Sequence, residues 1–344
     1  MQSGPGWRGL NAIRSIETTR LHHAARRDGG RVAARGAGAA GRAGAPDRNA
    51  DGLRPSDAEL RARVSAFQQE LQRLGWSKGV NVQFDERWTT DDMELVRANA
   101  ANLVELNPDA IVTNGGRVVP VFIQLTRSIP IIIPGAGDPV GNGWIKSLAR
   151  PGGNVSGFTF YEPSVLGKML EILKQIAPAT SRVAVIHNPD NAAGASMLRL
   201  SEGFARSLGI EPVSAPFHGI ADLERALEAT AKKGNGGILS IPDLTVTQLR
   251  VQVGELAARL RLPAIYSDRI LVTSGGLVSY DADRIDIFRR AASYTDRVLR
   301  GEKPGDLPFQ QPTKYQLTIN LKAAKALGLE VPPSLLARAD EVIE

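Results

Sequence analysis

Short runs of aliphatic and β-branched residues, each stopped by Gly, Asn, Asp or Pro, alternate along this chain with amphipathic stretches of roughly 10–15 residues. Ala110-Ile111-Val112-Thr113, Ile131-Ile132-Ile133-Pro134, Val183-Ala184-Val185-Ile186 and Gly237-Ile238-Leu239-Ser240-Ile241 are of the first kind. They are too short for helices and apolar on both faces, as strands of a parallel sheet covered by helices must be. Strands alternating with helices build βαβ units, and the pattern occurs twice, once on each side of residues 150–160. The expected fold class is therefore α/β, with two Rossmann-like lobes. In such sheets a ligand binds beyond the carboxyl ends of the strands, which directs attention to the residues just after each run.

The local signals are specific enough to be tested. Residues 57–74 read as a helix with Leu60, Val64, Phe67 and Leu71 on one face, Ser56 and Glu59 as a capping box and Gly75 as terminator. Val80-Asn81-Val82-Gln83-Phe84 alternates like a half-buried strand, and residues 93–106 read as a helix capped by Thr90 or Asp91. Residues 144–148 can form a short helix and 247–260 a longer one; Ala264-Ile265-Tyr266 and Leu277-Val278-Ser279-Tyr280 read as strands. Residues 315–321 alternate, and residues 323–328 close the pattern as a packed helix.

The formal charge of +6 sits in the first 56 residues, where ten arginines face four acidic residues, so the remainder is neutral. The body of the chain thus carries no compositional sign of nucleic-acid binding. The leading 56 residues are rich in Ala, Gly and Arg, lack apolar periodicity and are expected to be disordered. They contain neither the apolar core of a signal peptide nor the strand that should precede the first helix. The expectation is a wrong start or a shifted reading frame upstream of about residue 56. An organelle transit peptide and a basic nucleic-acid arm are the competing readings. The chain has no cysteine, which excludes disulfides, cysteine metal sites and thiol catalysis. No apolar run approaches the length of a membrane span.

Candidate binding residues come directly after the strands. Asn114, Gly115 and Gly116 join a strand to a helix and offer backbone N–H groups suited to a carboxylate or phosphate, without a Walker lysine. Asp138 and Pro139 stop the Ile131 run, where Asp138 either contacts a ligand or holds a Gly-Pro turn. His187 ends a strand and reads as a hydrogen-bonded structural residue rather than a base. Asp281 and Asp283 could cap the helix at Ile285.

The chain from about residue 57 onward resembles the ABC-transporter substrate-binding proteins of the tryptophan/aromatic-amino-acid-binding type, with the type I periplasmic-binding fold. The residues that carry this are Leu74-Gly75-Trp76, Gly79-Val80-Asn81-Val82, Gly137-Asp138-Pro139-Val140, residues 147–157 and, most specifically, residues 311–344. The resemblance implies two lobes hinged by three crossings that close on a small-molecule ligand and deliver it to membrane permease subunits, in the periplasm, with no cofactor and no catalysis. It implies an N-lobe of residues 57–155 with about 281–305 and a C-lobe of 156–280 with about 312–344. Carried over by position, the cleft takes Asn114, Gly115, Gly116, Asp138 and Pro139 from the N-lobe. Asn188, Asn191, Asp243, Ser267, Asp268 and Tyr280 come from the C-lobe. Asn114 and the N–H groups after it would hold a ligand carboxylate, and Asp138 or Asp268 an ammonium group. Phe160, Tyr161 or Trp88 could cover an apolar side chain.

Two other functions remain open on the sequence. An α/β enzyme on this scaffold would need a nucleophile–base set, a metal cluster or a phosphate loop, none of which is apparent. A ligand-sensing module of a regulator would need a helix-turn-helix, which residues 1–56 do not supply.

Overall fold

The computed structural model describes residues 58–87, 92–115, 117–160, 162, 164–190 and 192–344, and the backbone of 18–23. The disorder expected of the leading segment, and its capping Ser56, otherwise lie outside the described residues, as do Trp88, Thr90, Asp91, Gly116, Tyr161 and Asn191.

In chain order the first half contains β1 (Thr18–His23), α1 (Ala58–Arg73), β2 (Val82–Arg87), α2 (Met93–Glu105), β3 (Ala110–Thr113), α3 (Val119–Leu125), β4 (Ile131–Ala136) and β5 (Val155–Thr159). These strands form one sheet in the order β2-β1-β3-β4-β5. The second half begins with α4 (Ser164–Ile176), β6 (Arg182–His187), α5 (Ala192–Ser207), β7 (Glu211–Pro216), α6 (Ile220–Lys232) and β8 (Gly236–Ser240). Next come α7 (Leu244–Gln248), α8 (Arg250–Arg259), β9 (Ala264–Tyr266), α9 (Arg269–Thr273), β10 (Val278–Ala282) and α10 (Arg284–Leu299). The chain closes with β11 (Tyr315–Asn320), α11 (Leu321–Ala326), α12 (Pro333–Leu336) and β12 (Glu341–Ile343). The second sheet runs β12-β11-β10-β9-β8-β6-β7.

Strands β3, β4 and β5 are parallel, as are β6 through β10 in their sheet, with β11 antiparallel to β10. Each sheet has its own core. Val64, Phe67 and Leu71 of α1 pack with Ile287, Phe288 and Ala291 of α10 against the first sheet. Leu166, Leu170 and Leu173 of α4 cover the second sheet. Helix α10 thus belongs to the first lobe although it comes after a strand of the second.

Three segments pass between lobes. The chain leaves β5 for α4, leaves β10 for α10, and returns through residues 307–314 to β11. The returning segment is zipped to β5: Gln310 N–H donates to the Gly157 carbonyl at 3.0 Å, and Thr159 N–H donates to Gln310 O at 2.9 Å. Ser156 Oγ donates to the Leu307 carbonyl at 2.8 Å. Asp283 N–H donates to Lys314 O at 3.0 Å, tying the second crossing to the third. Because β5 completes the first sheet, the first crossing comes after Thr159 and not at the expected 155/156 boundary.

Several local expectations need correction. A strand does precede α1: Thr18–His23 lies antiparallel between β2 and β3, with Thr18 opposite both Arg87 and Thr113. A slot flanked by two strands supplies hydrogen bonds on both edges, so a segment can be a strand there without an apolar run of its own. The strand near Val80 starts two residues later, at Val82; Val80 is in a turn and 71% exposed. Helix α2 is capped by Asp92, whose carboxylate accepts from Glu94 and Leu95 N–H. Residues 144–148 form turns rather than a helix. The helix expected over 247–260 is two helices, broken at Leu249.

Gly157 has φ +154°, and a Cβ there would overlap the Ile133 backbone on the neighbouring strand. Gly157→Ala should therefore destabilise by more than about 2 kcal/mol. Gly203→Ala, in α5 with no neighbouring atom to meet, should stabilise by up to about 1 kcal/mol. Urea unfolding of the two variants checks both signs.

Candidate functional site

Connectivity fixes where the loops go. The first crossing leaves the carboxyl end of β5 and the second leaves the carboxyl end of β10. β5 runs parallel to β4 and β10 runs parallel to β9, so the carboxyl ends of β3 and β4, and of β6, β8 and β9, face the same junction between lobes. This is the ligand-binding end of an α/β sheet, presented by both lobes at once.

On the N-lobe side, Asn114 and Gly115 come after β3, and the Asn114 side-chain oxygen accepts from Gly115 N–H at 2.9 Å. Asp138 and Pro139 come after β4, and Asp138 accepts from Gly141 N–H at 2.7 Å, so one of its oxygens holds the turn. On the C-lobe side, Asn188 comes after β6 and donates to Thr245 Oγ1 at 2.9 Å while accepting from Asp190 N–H. Asp243 caps α7 by accepting from Thr245 N–H at 2.8 Å. Asn188 and Asp243 are thus joined through Thr245. His187 is buried, with Nδ1 at 3.1 Å from the Val185 carbonyl, as a structural histidine should be. Of the two aspartates that could cap α10, Asp283 does so, accepting from Asp286 N–H at 2.9 Å.

Ser267 and Asp268 come after β9 and are buried. Asp268 accepts from Arg63 Nη2 of α1 at 2.9 Å, lies 3.5 Å from Arg284 Nη2 and caps α9 through Ile270 N–H. Arg284 also donates to the Ser267 carbonyl at 2.9 Å and stacks on the Phe160 ring at 3.9 Å. Phe160 itself lies over Gly135, where a Cβ would run into the ring, so glycine makes room for the crossing aromatic. Tyr280 sits apart from this group, stacked on Tyr315 at 5.6 Å against the α4 side of the sheet. Among the described residues no group of three metal-ligating side chains is present.

Arg63, Arg284 and Asp281 were not singled out by the sequence as binding residues. Arg63 did carry a signal, because it falls three residues after Leu60 and four before Phe67, on the apolar stripe of its helix. Asp281 faces away from Tyr280 along β10 and is buried beside Asp268, Arg63 and Arg284. Burial opposes ionisation of Asp268, but Arg284 and Arg63 beside it hold its carboxyl below the ordinary value. For Asp281 burial and the Asp268 charge prevail, and its carboxyl is pushed up to about 7. One Asp281 oxygen, with Nε of Arg63 and Nε of Arg284, is buried without a hydrogen-bond partner among the described residues.

A fold of two parallel α/β lobes joined by three crossings, with strand ends facing a shared junction, defines the type I periplasmic-binding class. The model of the family described as ABC transporter substrate binding protein matches residues 56–343, and the chain belongs to that family. It is 27% identical over 266 residues to a tyrosine-binding protein of Clostridioides difficile (strain R20291), covering 77% of this chain and 76% of that protein. A conserved domain protein from Vibrio cholerae O1 biovar El Tor superposes with a TM-score of 0.77 at 29% identity, covering 82% of this chain and 94% of that one. An ABC domain from Streptococcus pneumonia, in complex with L-Trp, gives a TM-score of 0.76 at 23% identity, covering 84% and 97% of the two chains.

The Asp281 carboxyl has an ordinary value of 3.8 and a folded value of about 7, so between them the folded chain holds a proton that the unfolded chain releases. Stability should fall as pH rises from about 4 to 7, at a limiting slope of about 1.4 kcal/mol per pH unit, and flatten above. Asp281→Asn should remove that slope. The paired Asp268 acts in the opposite sense, losing its contribution as pH falls below the ordinary value. Urea unfolding of both proteins across pH 4–8 tests the expectation; parallel curves would remove Asp281 as the source.

Proposed function

We propose that this chain is a non-enzymatic receptor for an amino acid or a close relative, working in the periplasm and handing its ligand to the permease subunits of an ABC importer. Membership of the substrate-binding family supports the receptor role, and the proteins similar to this chain include one described as tyrosine-binding and one solved with L-Trp. The observation that supports the reading is the junction itself: two sheets turn their strand ends toward a single interlobe surface, to which we assign Asn114, Gly115, Asp138, Pro139, Asn188, Asp243 and Ser267. Contacts made by both lobes at once exist only when they are closed, so a ligand shifts the population toward closure without any bond being made or broken.

Within this surface the side-chain amide of Asn114 is the group suited to a carboxylate, since Gly115 N–H is already taken by the Asn114 oxygen. Asp138 has one oxygen engaged in its own turn and the second available to an ammonium group. Asp268 is already paired with Arg63 and Arg284, which leaves Asp138 as the better candidate for that role.

A thermal-shift screen of amino acids and their deaminated and decarboxylated analogues tests the reading. A true ligand at about a hundredfold excess over Kd should stabilise by about 2.7 kcal/mol. It should be recovered chemically unchanged by mass spectrometry; a turned-over compound would instead establish an enzyme. Asp138→Ala should weaken binding by about tenfold or more, corresponding to at least about 1.4 kcal/mol, while the free protein remains folded. Unaltered affinity would remove Asp138 from the site.

A further inference from the structure

The contacts between α1 and the start of α9 are reciprocal. From the N-lobe, Arg63 of α1 reaches Asp268 at 2.9 Å; from the C-lobe, Arg269 of α9 reaches back to Glu59, one turn earlier on α1, at 2.5 Å. Glu59 and Arg63 are themselves 3.7 Å apart. Arg269 is held from behind by Glu341 of β12, and Asp268 by Arg284 at the second crossing. Each lobe therefore offers one cation and one anion to the other, in crossed polarity; Glu341 backs Arg269 from its own lobe, and Arg284, at the hinge end of α10, adds a second N-lobe cation beside Asp268. The Arg63–Asp268 pair is sealed, with side chains 4% and 6% exposed, whereas Arg269 remains 28% exposed.

We propose that these crossed pairs, Arg63–Asp268 and Arg269–Glu59, are an electrostatic latch that holds the two lobes together before any solute arrives. Opening the cleft separates α1 from α9 and breaks both pairs together. Crossed polarity favours one register, because sliding α1 by a turn one way would set Glu59 against Asp268 and sliding it the other way would set Arg63 against Arg269. Removing two charges from water offsets much of their attraction, and opening returns both to water. The latch is consequently specific in geometry and modest in net strength, as a reversible closure requires. Its action is independent of which solute the cleft takes.

The chain has no cysteine, so Arg97→Cys on α2 and Lys232→Cys on α6 place spin labels on the N- and C-lobes. Interlobe distances are then measured on the full chain, without added solute, in three backgrounds. Native pairing should give one short, narrow distribution. Arg63→Met should add a longer-distance population while far-UV circular dichroism stays unchanged. Asp268→Asn, which keeps a capping oxygen for α9 but loses the charge, should do the same. Should Arg63→Met fail to fold, Arg269→Met opens the more exposed pair without touching the sealed one and should show the same long-distance population. Folded variants with the native distribution would overturn the latch. So would a native distribution that already contains both populations in the variants' ratio.

Discussion

Parallel pairing is the constraint on which the rest of this molecule depends. Once β3, β4 and β5 run the same way, and β6 through β10 do likewise, the carboxyl ends of these strands in each lobe lie on one side. The crossings after Thr159 and after Ala282 then oblige those sides to face each other. No side chain has to be tuned for this; strand direction and two connections suffice. The third connection, zipped to β5 through Gln310 and Ser156, keeps the lobes in register at the hinge without sealing the junction beyond it.

Placed on that frame, the polar residues at the junction divide by what they already touch. Asn188, Thr245 and Asp243 are bonded to one another, and Asn114 and Asp138 hold their own turns. Such preorganisation limits the freedom a ligand would have to remove. Asp268 is different, because its partners come from the opposite lobe. A carboxylate at the end of β9 looks on sequence alone like a contact for a ligand cation; the structure puts an arginine of the protein there.

Much of the architecture was legible because burial on both faces leaves a plain mark. Ile131-Ile132-Ile133 is a strand in which every residue is buried, and the runs at Ala110, Val183 and Gly237 behave alike. What failed to show depends on partners distant in sequence. Thr18–His23 has the composition of a tail and becomes a strand only because β2 and β3 flank it. Arg63 finds Asp268 some 205 positions away, a pairing no local window contains. Ser156 reads as the start of the second lobe until Leu307 returns to meet it. The candidate site was legible as a set of strand ends, whereas the pairing of Asp268 with Arg63 across the lobes was not, since that turns on where the side chain finds its charge partner.

The central claim is that a small solute is gripped in the junction between the two sheets. The most direct measurement is a crystal structure of the protein with whatever solute purifies with it or emerges from screening. The account predicts density between the loops after β3 and β4 on one side and those after β6, β8 and β9 on the other, with atoms of both lobes in contact. A solute bound on one lobe alone, or away from the strand ends, would contradict it.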